Sequence, residues 1–199
     1  MKKLLPILFV LIITSCSPEP KEPKEPEVQS IYLQERGGVY YEVNSTIPFT
    51  GKNRTYHTIL GVTSEQIWSY RDGLRDGVRK TSTNGNVVSK TIYKDGEKDG
   101  LDEMFKEDGQ LIWRKNYKDG EQHGLEEVYY KNGQLISKVN FISGNKDGLE
   151  ESYQENGYLV SRVNFKGGKE DGLKEFYRNG QLITRTCITE NVIDWSYCN

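Results

Sequence analysis

The chain contains no alanine, and none of its six prolines lies beyond Pro48. Alanine is the best helix former, so its absence from 199 residues argues against a helical protein. A basic excess is missing too. The 27 basic and 29 acidic side chains leave a net charge of -2, which supplies no field for holding nucleic acid. Long apolar runs are scarce. Only 35% of residues are hydrophobic, which excludes a polytopic membrane protein. What is abundant is 20 glycines, 13 tyrosines and six phenylalanines, the materials of turns and strands.

The one sustained apolar stretch, residues 4–13, follows Met1-Lys2-Lys3 and is interrupted only by Pro6. It falls short of the roughly 20 residues a bilayer span needs and reads as the core of a secretory signal. It runs into Ile13-Thr14-Ser15-Cys16, which resembles a bacterial lipobox. The resemblance implies cleavage after residues 1–15, a diacylglycerol on Cys16 and a further acyl chain on its new amino group. Losing Lys2 and Lys3 would move the net charge from -2 to -4. Several acyl chains, at about 0.8 kcal/mol per buried methylene, anchor firmly where one binds reversibly. Residues 16–30 then alternate proline with glutamate and lysine, a composition that stays extended as a tether. The expected location is the cell envelope. Ser17 after the cysteine favours the outer over the inner membrane.

The remainder repeats itself. GLDEMFKEDGQLIWRKNYKDGEQH begins at Gly100, and further copies begin at Gly124, Gly148 and Gly172, each start 24 residues after the last. A weaker copy starts at Gly77 and a degenerate one at Gly51. Two turn signals mark each unit. Asn84-Gly85, Asp108-Gly109, Asn132-Gly133, Asn156-Gly157 and Asn179-Gly180 alternate with Asp72-Gly73, Asp95-Gly96, Asp119-Gly120, Ser143-Gly144 and Gly167-Gly168. Such pairs suit two-residue hairpins, whose central positions both need positive φ. The fold expected is all-β, an elongated antiparallel meander of hairpin repeats. Residues 31–76 would form entry strands with a degenerate repeat, and residues 77–199 the repeat domain with its C-terminal cap.

A two-residue loop at Asn132-Gly133 sets Glu127 opposite Lys138, and the same rule sets Glu103 opposite Arg114 and Glu151 opposite Arg162. Acid against base at one rung favours this register by about 0.2–1 kcal/mol per pair. On that face alternation places Leu101, Leu125 and Leu149 together with Phe105, Tyr129 and Tyr153. Leu111, Leu135 and Leu159 fall on the other face with Tyr117, Phe141 and Phe165. The outer repeats are one residue shorter before the turn, so the rule sets Arg79 against Lys90 and Lys174 against Arg185. A bulge, or a modified terminal unit, would relieve that.

The recurring G-L-x-E-x-[YF]…N-G-Q-L…[YF]-x-x-G resembles the MORN repeat variant, and 46-TIPFTGK-52 resembles the entry segment of bacterial chains built from it. Many such chains are labelled YwqK family antitoxins of toxin–antitoxin systems. The resemblance covers roughly residues 39–189. It implies a scaffold without fixed catalytic residues.

The candidates for chemistry are few. Asp95-Gly-Glu-Lys-Asp-Gly opens like a calcium loop, but its twelfth position is Lys106 where a bidentate glutamate belongs. The pairs Asp102-Glu103, Glu126-Glu127 and Glu150-Glu151 lie on opposite faces of a strand and cannot act jointly. His57 and His123 have no visible nucleophile or metal-ligating partner. No catalytic residue, cofactor or metal is therefore expected. Cys187 and Cys198 flank a last hairpin and are spaced for a disulfide worth about 2–3 kcal/mol, the alternative being two buried thiols. The aromatic column Phe105, Tyr129, Tyr153 and Tyr177 is a candidate contact line, its rings serving either a partner or the sheet itself. The expected function is a non-enzymatic, lipid-anchored envelope protein that binds another macromolecule, a protein before a glycan. An antitoxin or immunity protein that neutralises a toxin is the alternative.

Overall fold

The computed structural model describes residues 31–189 and the strand at 192–193, and every regular element among them is a β-strand. Cys16 with the tether, and Cys198, lie outside the described residues. In chain order the strands are β1 (Leu33–Arg36), β2 (Val39–Glu42), β3 (Gly51–Ile59), β4 (Val62–Arg71), β5 (Leu74–Arg75), β6 (Gly77–Thr83), β7 (Asn86–Lys94), β8 (Glu97–Phe105) and β9 (Leu111–Lys118). They continue as β10 (Glu121–Gln122), β11 (Gly124–Tyr129), β12 (Leu135–Ile142), β13 (Asn145–Lys146), β14 (Gly148–Tyr153), β15 (Leu159–Lys166), β16 (Lys169–Arg178), β17 (Gln181–Thr189) and β18 (Val192–Ile193). β1 and β2 form a separate hairpin. All the others join one antiparallel sheet in which the long strands pair in sequence order, while the two-residue β5, β10 and β13 pair only with the strand before them. This is the expected meander.

The turns fall into two kinds, and only one was expected. Asp119 and Gly120 have φ of 47° and 81°, and the like values at Asp72, Asn84, Asp95, Ser143, Gly167 and Asn179 with their following glycines mark two-residue turns with both residues left-handed. At Asn132-Gly133 only the glycine is left-handed. There Tyr130 N donates to Gln134 O (2.8 Å) and Gly133 N to Tyr130 O (3.0 Å), closing a three-residue loop whose Asn132 Oδ1 accepts from Gln134 N (3.0 Å). The loops at Gly109 and Gly157 repeat this geometry.

A three-residue loop would displace the register by one, and a bulge returns it. Tyr129 faces Leu135 but Val128 faces Ser137, so Ile136 is the extra residue and Glu127 still meets Lys138. Ile112 and Val160 occupy the same position in their repeats. The bulge also corrects the expected faces. Leu111, Leu135 and Leu159 sit directly across from Phe105, Tyr129 and Tyr153, hence on their face and not with Tyr117, Phe141 and Phe165. In the outer repeats a two-residue loop is followed by the same bulge. It sets Glu175, not Lys174, against Arg185, and Lys80, not Arg79, against Lys90.

At the other end of each hairpin, two residues are inserted before the next strand. Gln122 faces Tyr117 while Glu127 faces Arg114, leaving His123-Gly124 as the insertion. Gly124 has φ of 99°, and a Cβ there would lie 3.2 Å from Asn116 Cβ. The positive φ recurs at Gly77, Gly100, Gly148 and Gly172 and the close approach at all of these but Gly148, which is why each unit opens on glycine.

With one layer of strands there is little interior. Val139, Val163 and Cys187 are the buried apolar residues of the repeats. Cys187 is disulfide-bonded. The N-terminal end is denser. Phe49 and Tyr70 pack edge to face with ring centres 5.7 Å apart, and Tyr40 lies 5.0 Å from Tyr70 on the other side. Tyr40 N donates to Gly73 O (2.8 Å) and Gly73 N to Phe49 O (2.8 Å), fastening the β1–β2 hairpin to the β4–β5 turn of the sheet. Arg75 donates to Tyr40 Oη (2.8 Å) while its guanidinium lies 4.7 Å above Trp68. Burial pushes the Tyr70 hydroxyl up to about 12.

Candidate binding surface

One face of the sheet is organised in three rows that run across the strands. The central row is charged. Successive register partners are Lys90, Glu103, Arg114, Glu127, Lys138, Glu151, Arg162, Glu175 and Arg185. Charges alternate along the whole line, within hairpins and between them. Arg114 Nε donates to Glu103 (2.9 Å), Lys138 Nζ to Glu151 (2.7 Å), and Arg162 Nε to the other oxygen of Glu151 (2.8 Å). Burial alone would raise the Glu151 carboxyl. Hydrogen bonds from Lys138, Tyr153 and Arg162 outweigh it and hold the group at about 2.

The aromatic column forms the row beside the charges. Tyr153 Oη donates to Glu151 (2.8 Å) and Tyr177 Oη to Glu175 (2.7 Å), two residues back on the same strand. Burial and the neighbouring Glu127 raise the Tyr129 hydroxyl in the same way. Phe105, which has no hydroxyl, lies 5.8 Å below Lys90 Nζ. The four rings are half-buried, and the tyrosine hydroxyls serve the charged row.

The third row carries open aliphatic side chains. Leu101, Asn116, Leu125, Asn140, Leu149, Asn164 and Leu173 alternate across it through hairpin pairing and the inserted glycines. Leu125, Leu149 and Leu173 are 39%, 41% and 39% exposed. Two of the asparagines clamp the backbone. Asn116 Nδ2 donates to Leu125 O (2.8 Å) and Asn164 Nδ2 to Leu173 O (3.3 Å), bridging the backbone opened by the insertion.

On the opposite face the insertion brings residues four apart into contact, as helices do by other means. Lys98 reaches Asp102 (2.6 Å), Lys146 reaches Glu150 (2.6 Å) and Lys174 reaches Glu170 (2.7 Å). Lys98 Nζ also lies 4.6 Å over Tyr117 and Lys146 Nζ 4.9 Å over Phe165. Asp102 and Glu103 therefore belong to different networks, as alternation requires. His123 lines a shallow groove with Lys118, Asp119, Glu121 and Ser143. Among the described residues no three His, Cys, Asp or Glu side chains converge as for a metal ion.

Two features escaped the sequence reading. The charged row is continuous because Arg114, Lys138 and Arg162 each lie 11 residues after one glutamate and 13 before the next, and the sequence pattern exposes only the first spacing as a pairing rule. The recurring Asn116, Asn140 and Asn164 were a visible signal that the Leu row needed a backbone clamp.

Residues 122–143 and 146–166 match the MORN repeat variant, two adjacent copies of the 24-residue unit. A search of curated proteins finds no match. Among solved structures the chain is similar to TarM, with 17% identity over 53% of this chain and a TM-score of 0.33. It is also similar to a mutant of S. aureus TarM in complex with fondaparinux, alpha-GlcNAc-glycerol and UDP, with 15% identity over 60% of the chain and a TM-score of 0.30. The matches span about a fifth of those chains, 20% and 21%. Likeness at this level carries no argument about function.

Proposed function

We propose that this chain is a non-enzymatic binding module, held at the bacterial envelope by lipid on Cys16, that engages a protein partner through the row-bearing face of its sheet. The observation that carries the reading is the Leu row, three half-open aliphatic side chains in line beside a charged row that is already neutralised within the protein. Aliphatic contacts in a line, flanked by fixed charge, give a partner area from the first and register from the second. Glu151 and Glu175, occupied by three and two donors, are poorly placed to act as acids or bases.

Two experiments test it. Metabolic labelling with a palmitate analogue should mark the wild type and not Cys16→Ser, which should accumulate as precursor. Absence of label from the wild type would overturn the anchor. For binding, Leu125→Glu should weaken capture of the partner recovered with the wild type by about tenfold, the equivalent of about 1.4 kcal/mol, and Leu149→Glu added to it should weaken capture again. A hydrolytic activity lost on substitution of one carboxylate, with the fold intact, would replace this reading with an enzymatic one.

A further inference from the structure

We infer that the tip of the β3–β4 hairpin enters the lipid surface and so fixes how the sheet stands on its membrane; the inference rests on the lipid-anchor reading of Cys16. The neighbouring strand β6 stops at Thr83, opposite Ser64, and Asn84 N donates to Thr63 O (3.2 Å). The last rung of the hairpin, Ile59 with Val62, and the Leu60-Gly61 turn project beyond that point. Leu60 is 99% exposed, Ile59 73% and Val62 46%. Residues 58–64 contain no charged side chain.

Leu60 also stands where leucine is ill suited. Its φ is 50°, and the corresponding residue of the eight other two-residue turns among the described residues is Asp, Asn, Ser or Gly. A left-handed residue with a Cβ is strained. At 99% exposure, packing within the fold offsets almost none of that. A strained and exposed apolar residue points to a contact outside the chain. Below it, Tyr56 is 54% exposed and its hydroxyl meets Glu65 (3.3 Å), which in turn pairs with Arg54 (3.1 Å). An amphipathic ring behind an uncharged apolar tip is the order of side chains that a bilayer interface selects.

The start of the described chain makes lipid the occupant within reach. Ile31 N donates to Asn53 Oδ1 on β3 (3.0 Å), the same strand that carries the tip. From Asn53 to Leu60 the strand advances roughly 23 Å at about 3.3 Å per residue. An extended tether from Ile31 back to Cys16 spans roughly 46 Å at about 3.1 Å per residue. The anchored end can therefore lie level with the tip, and tethering keeps the tip at high effective concentration over the bilayer.

The test uses the full lipidated chain in phosphatidylcholine vesicles with and without bromine on the acyl chains. In Leu60→Trp, and in Val62→Trp as a second reporter, the emission added to that of the wild type should be shifted to shorter wavelength and quenched by brominated lipid. Ile142→Trp, at a 46% exposed site next to a turn at the opposite end of the sheet, should be unquenched. Vesicles that carry the protein but leave both tip reporters unquenched would overturn the inference and assign the tip to a protein partner or a second copy. Wild-type protein that fails to float with the vesicles would overturn the anchor reading first, and this inference with it.

Discussion

Removing residues 124–147 should leave a folded protein, whereas removing residues 124–135 should not. The longer deletion takes out the long strands β11 and β12, the short β13 and two turns, joins His123 to Gly148, and carries Glu151 to the position of Glu127 opposite Arg114. Asn116 would likewise meet Leu149 in place of Leu125. Acid still faces base, and the Asn clamp still meets a Leu carbonyl. Each unit contacts chiefly its neighbours, so the loss is that of one unit and one interface, a few kcal/mol. The shorter deletion removes one strand. Every later strand then runs the other way and the alternation of charge is broken from that point on. Circular dichroism with thermal melting should show a β-type spectrum and a lower midpoint for the first product, and no cooperative transition for the second. Equal tolerance of both would contradict the repeat architecture.

Glu151→Gln should be the most damaging single substitution in the charged row. Glu151 is 5% exposed and receives Lys138, Arg162 and Tyr153. Its folded value of about 2 lies below the ordinary 4.5, so its ionised form stabilises the fold. A shift of that size corresponds to about 3 kcal/mol. The sign follows from the depression. The contribution is complete above about pH 4.5 and fades as pH falls toward 2. At neutral pH the variant should therefore melt roughly 6–12 °C below the wild type. The gap should close progressively below pH 4.5. Glu155→Gln, at an exposed loop position, should leave the midpoint unchanged. A gap independent of pH would mean that the side chain matters for its shape and not for its charge.

How far the sequence could be read depends on what each feature requires. Asn-Gly and Asp-Gly pairs announce left-handed backbone, a demand met by few residues, so the meander and its turn positions were legible. The charged rungs were legible for a more accidental reason. A two-residue loop at Asn132-Gly133 gives the same pairing of Glu127 with Lys138 as a three-residue loop followed by a bulge at Ile136. The two departures cancel at the charged rung. They do not cancel nearer the turn, and there Leu135 ended on the face of Tyr129. In the outer repeats only the bulge remains, so the expected clash of Lys174 with Arg185 gives way to Glu175 with Arg185. Bulges are set by strand twist and loop closure, and a pattern of alternation contains neither. The Tyr column was visible, but its engagement with glutamates two residues back depends on side-chain direction. Docking of β1–β2 was invisible because it joins Tyr40 to Arg75 across 35 residues.

The central claim is that repeated positions on one face act together on a partner, and site-specific photocrosslinking in intact cells tests it most directly. A benzophenone amino acid is placed in turn at Leu101, Leu125, Leu149 and Leu173, and on the opposite face at Ser137, Ser161 and Thr184. The account predicts the same adduct from consecutive Leu positions and none from the Ser and Thr positions. Adducts confined to the opposite face, or to a single position irrespective of repeat, would contradict it.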